Sequence, residues 1–310
     1  MSMDRLIEKI VQTQNPTVAG LDPKLDFIPD FIKEEAYAKY GKTFEGAAEA
    51  IWQYNKGLID ELCKIVPAVK PQAAYYEMYG WQGVKTLAKT IAYAKEKGMF
   101  VITDGKRNDI GTTMEAYANA HIGDTNIDGE TLSAFGADAL TVNGYLGTDG
   151  IKPLIDVCNK KDGAMFVLVK TSNPSSGELQ NQPLDGGDSI YCHMGKMCEH
   201  WGLELTGKYG YSGVGAVVGA TYPEQLTELR NELKNTFFLV PGYGAQGGTA
   251  KDIEGAFDSK GLGAIVNSSR GIMCAWIAEK CDPKDYALAA YREAEKMKSL
   301  LLNVTGEITL

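Results

Sequence analysis

The sequence predicts an α/β fold of the (β/α)8 barrel type, and three observations carry that prediction. Eight short runs of aliphatic and β-branched residues recur along the chain: TVAGLD (17–22), IVPAVK (65–70), FVITDG (100–105), ALTVNG (139–144), MFVLVK (165–170), VGAVVG (214–219), FFLVPG (237–242) and AIVNSS (264–269). Longer amphipathic stretches such as FEGAAEAIWQYNKGLIDELC and GWQGVKTLAKTIAYAKEKG separate them, with apolar positions three and four residues apart. The chain has 310 residues, somewhat more than the ~250 typical of such a barrel.

Continuous apolar strands alternating with helices imply a parallel sheet covered by helices. The second helical stretch closes on a glycine, a helix stop. A doubly wound open sheet is the alternative, but its first strand should lead into a GxGxxG turn, and GLDPKLD (20–26) is not one. The surplus length falls in two insertions, residues 24–44 after the first strand and 175–197 after the fifth. No short-period repeat, low-complexity tract or linker interrupts the pattern, so residues 1–310 read as one TIM-barrel domain.

Composition narrows the function classes. With 44% hydrophobic and 23% charged residues the chain can bury a large core and lacks the signature of disorder. The N-terminal MSMDRLIEKIVQ has mixed charge, and no stretch approaches the roughly 18 apolar residues of a membrane span. A soluble, untargeted, cytoplasmic protein is expected. The net charge of −9 argues against a nucleic-acid surface, which needs a broad basic footprint. Any cations that meet an anionic ligand must therefore be local. Cys63, Cys158, Cys192, Cys198, Cys274 and Cys281 show no CxxC spacing, so reduced thiols are expected rather than disulfides or a zinc site. His121, His193 and His200 lie in no HExxH or triad-like context.

Several strands end on a polar residue: Asp22, Lys70, Asp104, Asn143 and Lys170. In a barrel these ends line the face where chemistry sits. The densest cluster is ITDGKRNDIGTT (102–113), with Asp104, Lys106, Arg107 and Asp109. Side chains two apart on a strand share a face, so Asp104 and Lys106 should project together into the barrel mouth. Lys70, ending the preceding strand, should stand beside Asp104, and Asp109 lies beyond regular strand geometry. The candidate row Lys70, Asp104, Lys106, Asp109 alternates in sign, which keeps each carboxylate ionised and each lysine protonated. Such a row suits holding fixed charge more than trading protons. An ion-pair network that merely caps the mouth is the structural alternative, and such networks are not automatically stabilising. Arg107 reads as a solvated or interface side chain.

Two glycine-rich segments, PGYGAQGG (241–248) and NSSRGI (267–272), follow strands seven and eight. Barrels often bind phosphate there through backbone N–H groups. Arg270 could add a bidentate contact and Gln246 a neutral donor. KTSNPSSG (170–177) offers Ser172 and Asn173 near the mouth, although an Asx or Ser turn explains the same residues without a ligand.

With these segments located, DGKRNDIGTT (104–113) resembles the DxKxxDI signature of the orotidine 5′-phosphate decarboxylase family. GLDP, VKPQAAYYE, KTSNPSSGELQ, PGYGAQGG and NSSRGI resemble that family's other landmarks in the same order over residues 17–272, in the wording of its longer bacterial-type subgroup. The resemblance implies a cofactor-free decarboxylation of orotidine 5′-monophosphate to uridine 5′-monophosphate, the last step of de novo pyrimidine nucleotide synthesis. It implies that Lys70, Asp104, Lys106 and Asp109 form a catalytic charge network, with Asp109 reaching the partner's site in a homodimer. By the same resemblance Asp22 and Thr113 contact ribose, Ser172 reads the pyrimidine, and Gln246 and Arg270 bind phosphate. Residues 175–200 depart from the shorter members.

Three other readings compete. The related 3-keto-L-gulonate 6-phosphate decarboxylase also carries DxKxxD but uses magnesium, with an acidic residue expected where this chain has Lys70. An ammonium there repels Mg2+ and removes an oxygen ligand. A Schiff-base aldolase using Lys70 or Lys106 is disfavoured because flanking carboxylates keep a lysine protonated. A catalytically silent barrel that binds a phosphate ligand is the non-enzymatic reading.

Overall fold

The computed structural model describes residues 1–244 and 247–310. Eight parallel strands close into a barrel: β1 Thr17–Leu21, β2 Ala68–Pro71, β3 Phe100–Arg107, β4 Ala139–Val142, β5 Ala164–Lys170, β6 Ser212–Val218, β7 Thr236–Val240 and β8 Ala264–Ser268. Each pairs with its neighbours in chain order and β8 closes on β1. All eight predicted runs are therefore strands. The second begins later than the sequence suggested, because the amides of Ile65 and Val66 still bond back to Leu62 O at the end of the helix Phe44–Leu62.

The period-two alternation of a strand divides the core. Val18, Ala68, Phe100, Ile102, Ala139, Phe166, Phe237, Leu239 and Ile265 pack together inside the barrel. Their neighbours Ala19, Val69, Val101, Leu140, Val142, Val167, Val240 and Val266 pack outward against the helices. Two residues beyond Ala68, Ile102, Ala139 and Ile265 stand Lys70, Asp104, Thr141 and Asn267. Polar side chains thus take over the inward positions at the C-terminal ends of the strands.

The floor of the barrel is supplied by the N-terminal helix, Ser2–Thr13. Met3, Leu6, Ile7 and Ile10 are fully buried in the interior cluster. The polar side of this helix is anchored, with Arg5 to Asp138 at 2.6 Å and Asp4 accepting from the amides of Lys208 at 3.2 Å and Tyr209 at 3.4 Å. The buried Met3, Leu6, Ile7 and Ile10 recur at three- and four-residue spacing, the mark of an amphipathic helix used here as a plug.

Both predicted insertions are structured. Residues 24–44 hold a single 3-10 turn, Leu25–Phe27, and the helix Asp30–Tyr40. Residues 175–197 hold the short helix Gly177–Gln180 and the start of the helix Ile190–Trp201. A third insertion was not foreseen: an antiparallel hairpin, Thr125–Ile127 with Glu130–Leu132, between the helix Gly111–His121 and β4. Its turn residues Asp128 and Gly129 have φ of 51° and 100°, and Asp-Gly is the residue pair that such a turn favours. The strands themselves are three residues long and exposed throughout, so they carry no buried-face alternation. All six cysteines are free. Among the described residues no helix is long and apolar enough to cross a membrane.

The plug should be integral to stability. Leu6→Ala removes a fully buried side chain and should cost about 2–5 kcal/mol, read as a lower denaturation midpoint; an unchanged midpoint would show that the floor is dispensable.

Candidate active site

A cleft of about 690 Å³ opens at the C-terminal end of the barrel. Its walls come from almost every strand end, including Asp22 and Lys24 after β1, Lys70 and Gln72 at β2, Asp104 and Lys106 on β3 and Thr141 on β4. Ser172 and Asn173 follow β5, while Asn267, Ser269 and Arg270 come from β8 and its loop.

Asp104 sits at the centre and is buried. Its Oδ2 accepts from Lys70 Nζ at 2.6 Å and Gln72 Nε2 at 3.0 Å. Its Oδ1 accepts from Lys106 Nζ at 2.6 Å and Thr141 Oγ1 at 2.8 Å. Burial opposes the ionised carboxylate, but the ammonium groups of Lys70 and Lys106 outweigh it and hold Asp104 well below the usual carboxylate range. For Lys70, burial likewise opposes the charge, and the charges of Asp104 and Asp22 raise its pKa above the ordinary lysine value. The two amines differ in access. The Lys70 side chain is 5% exposed and the Lys106 side chain 46%, so of this pair Lys106 is the one more open to a ligand.

Asp104 and Lys106 meet as predicted, but not through a regular pleat. The register of β3 against β4 shifts between Thr103 and Arg107, and Lys106 has φ 46°, in the left-handed region. Thr141 secures this bulge: its Oγ1 accepts from the Lys106 amide at 3.0 Å while donating to Asp104. Arg107 turns out of the cleft to pair with Glu77 and to bond Gly105 O at 2.8 Å.

At the opposite wall, Arg270 opens the short helix after β8, exposed to the cleft and without an ion pair among the described residues. Two buried acceptors in the cleft, Asp22 Oδ1 and Asn267 Oδ1, have no hydrogen-bond donor among the described residues. They suit a ligand that brings hydroxyl groups. Gly20 lets β1 approach this wall, since a Cβ there would lie 1.9 Å from Ser269 Oγ.

A family model described as "Orotidine 5′-phosphate decarboxylase / HUMPS family" matches residues 52–276, from the helix before β2 to the short helix Ala275–Glu279 beyond β8. The chain belongs to this family. A relative from Rhodopirellula baltica named orotidine 5′-phosphate decarboxylase is 45% identical over 86% of each chain. One of the same name from Caldicellulosiruptor bescii is 40% identical over 95% of this chain and 96% of its own. Among solved structures, Leishmania donovani OMP decarboxylase is similar with a TM-score of 0.72 and 27% identity, covering 96% of this chain and 98% of that one. Leishmania donovani UMP synthase gives a TM-score of 0.73 at 30% identity over 96% of this chain and 56% of that one.

Of the site residues expected in this family member, Asp22, Lys70, Asp104, Lys106, Ser172 and Arg270 all line the cleft. Asp109 and Thr113 do not. Asp109 caps the Ile110 amide at 2.8 Å, and Thr113 is exposed on the first turn of the helix Gly111–His121. The row within one chain is therefore Lys70, Asp104, Lys106, without Asp109. Gln246 lies outside the described residues. Lys170, grouped with the strand ends facing the mouth, does not line the cleft.

Sequence reasoning overlooked Gln72 and Thr141, both donors to Asp104, and Asn267, whose Oδ1 has no donor among the described residues. Alternation could have found them, since Gln72 lies two beyond Lys70, Thr141 two beyond Ala139, and Asn267 two beyond Ile265.

The carboxylate's environment predicts its titration. By carboxyl 13C NMR, Asp104 should titrate well below the ~3.9 of a free aspartate. Lys70→Met, which removes one of two cations that favour the anion, should move it upward; no movement would mean that Lys70 does not hold the charge.

Proposed function

We propose that this chain decarboxylates orotidine 5′-monophosphate to uridine 5′-monophosphate, using fixed charges and no cofactor. The observation that carries the proposal is the ionised Asp104 held between a buried Lys70 and a cleft-facing Lys106. Arg270 receives the phosphate, Asp22 accepts from a ribose hydroxyl, and Ser172 reads the pyrimidine. Gln246 is the proposed second phosphate contact.

Heterolysis of the bond between C6 and the carboxylate releases CO2 and leaves the electron pair in the ring plane. It cannot spread into the π system, so the charge must be met where it forms. The Lys106 ammonium meets it and then transfers a proton from Nζ to C6, recovering one from solvent afterwards. Asp104 would lie near the departing substrate carboxylate. Two unit charges at about 4 Å repel by roughly 4 kcal/mol at an effective dielectric near 20. Enzymatic barrier reductions run from about 8 to 23 kcal/mol, so repulsion alone is too small. The larger part falls to interactions that strengthen in the transition state, with phosphate binding supplying energy to hold the base in place.

The metal-dependent reading suits this cleft poorly. Lys70 occupies the position where an acidic ligand would be expected, and among the described residues no three His, Cys, Asp or Glu side chains are grouped to hold an ion.

Asp109 and Thr113 extend the proposal to a homodimer. They occupy one segment just outside their own cleft, beside exposed Ile110, where a second copy could receive them. Each site would then combine Lys70, Asp104 and Lys106 of one protomer with Asp109 and Thr113 of the other.

Lys106→Ala should lose nearly all turnover of orotidine 5′-monophosphate in an ultraviolet assay while keeping its fold, and EDTA should leave the wild type unchanged. Near-normal turnover in the variant, or abolition by chelator, contradicts the mechanism. Mixing the inactive Lys106→Ala and Asp109→Ala proteins should restore activity, because one of the two sites in a mixed dimer carries neither substitution; no recovery after verified subunit exchange argues for sites contained in single chains.

A further inference from the structure

Lys170 ends β5, yet a register shift against β6 between Leu168 and Lys170 takes it out of the inward series. Leu168, Thr171, Ser172 and Asn173 line the cleft and Lys170 does not. Its side chain is fully buried, and it has no carboxylate within ion-pair distance among the described residues. No step of the proposed reaction uses it.

An ammonium has three donors, and here each has a target. Nζ donates to Ser176 Oγ at 2.9 Å and to Asn181 Oδ1 at 2.9 Å, and it lies 4.4 Å from the centre of the Tyr222 ring. The Tyr222 hydroxyl in turn donates to Asn173 O at 3.3 Å. Gln180 completes the closure, its Oε1 accepting from the Thr171 amide at 2.9 Å and its Nε2 donating to Thr171 Oγ1 at 2.8 Å. One buried amine thus grips the middle and far end of the loop whose near end carries Ser172 and Asn173. Gly219 seats the near end, since a Cβ there would lie 2.8 Å from the Ser172 backbone.

A buried cation without an anion is an expensive way to fill space. Burial lowers the pKa of Lys170, and an apolar side chain of similar length would avoid the desolvation cost. What an apolar side chain could not do is bind two loop oxygens and an aromatic face together.

We propose that Lys170 is a positioning residue that presets the loop from Thr171 to Asn181, and through it Ser172 and Asn173, for the base of the nucleotide. The inference rests on the nucleotide reading given above. Without the amine, a ligand bearing a base must order the loop as it binds. A ligand without a base touches only the phosphate and ribose walls and is indifferent to the loop.

The test compares uridine 5′-monophosphate with ribose 5-phosphate by calorimetric titration of the full chain. Lys170→Met should weaken uridine 5′-monophosphate by roughly ten-fold or more, about 1.4 kcal/mol per ten-fold, while ribose 5-phosphate changes less than about two-fold. KM for orotidine 5′-monophosphate should rise more than kcat falls. Ser176→Ala and Asn181→Ala each remove one acceptor and should give smaller losses of the same pattern; they carry the test alone if Lys170→Met does not fold. Unchanged affinity for uridine 5′-monophosphate overturns the proposal, and so does equal weakening of both ligands, which marks general damage. Failure of the wild type to bind uridine 5′-monophosphate overturns the nucleotide reading itself, and this inference with it.

Discussion

The mouth of this barrel depends on one carboxylate. Asp104 accepts from Lys70, Gln72, Lys106 and Thr141, so both oxygens are saturated by donors from three neighbouring strands and the segment just beyond β2. Without it, the buried Lys70 would face desolvation with only Asp22 opposing the loss of its proton. Lys106 would lose the anchor that directs its amine. The reverse also holds, because a buried Asp104 without its cations would favour protonation. Each charge is tolerable only because the others are present, and the group acts as a unit.

Barrel closure makes that unit rigid. β2, β3 and β4 are consecutive neighbours, so Lys70, Asp104 and Thr141 arrive side by side on inward positions. Beneath them the apolar interior, closed by Met3, Leu6, Ile7 and Ile10, excludes water from one side. Charge above an apolar floor acts through a lower effective dielectric than at an open surface, which favours electrostatic stabilisation of a charge formed in the cleft. The bulge at Lys106 then carries the more exposed of the two amines bonded to Asp104 over the centre.

The loops divide the remaining work. The walls at β1 and β8 present acceptors that have no donor among the described residues, together with an arginine, complementary to hydroxyls and an anion. The β5 loop presents Ser172 and Asn173, braced from behind by Lys170. The end of β3 turns outward, taking Asp109 and Thr113 away from their own cleft. The charged segment DGKRNDIGTT is thus split within ten residues, its first part facing the cleft and its last part facing away from it.

The sequence alone determined the eight strands, their closure into a barrel, both insertions and the pairing of Lys70, Asp104 and Lys106. Those features follow from local rules: apolar runs form strands, and residues at consecutive strand ends meet at the barrel mouth. Tertiary structure decided what no local rule contains. The bulge that aims Lys106, the turn of Lys170 behind its loop and the exclusion of Asp109 and Thr113 all depend on backbone departures from a regular pleat. The mixed-charge N-terminus became a floor because an amphipathic helix shows its buried face only when something is there to bury it against. Periodicity reports which side of an element is apolar; where that side points, and where the period breaks, is set by contacts between residues far apart in the chain.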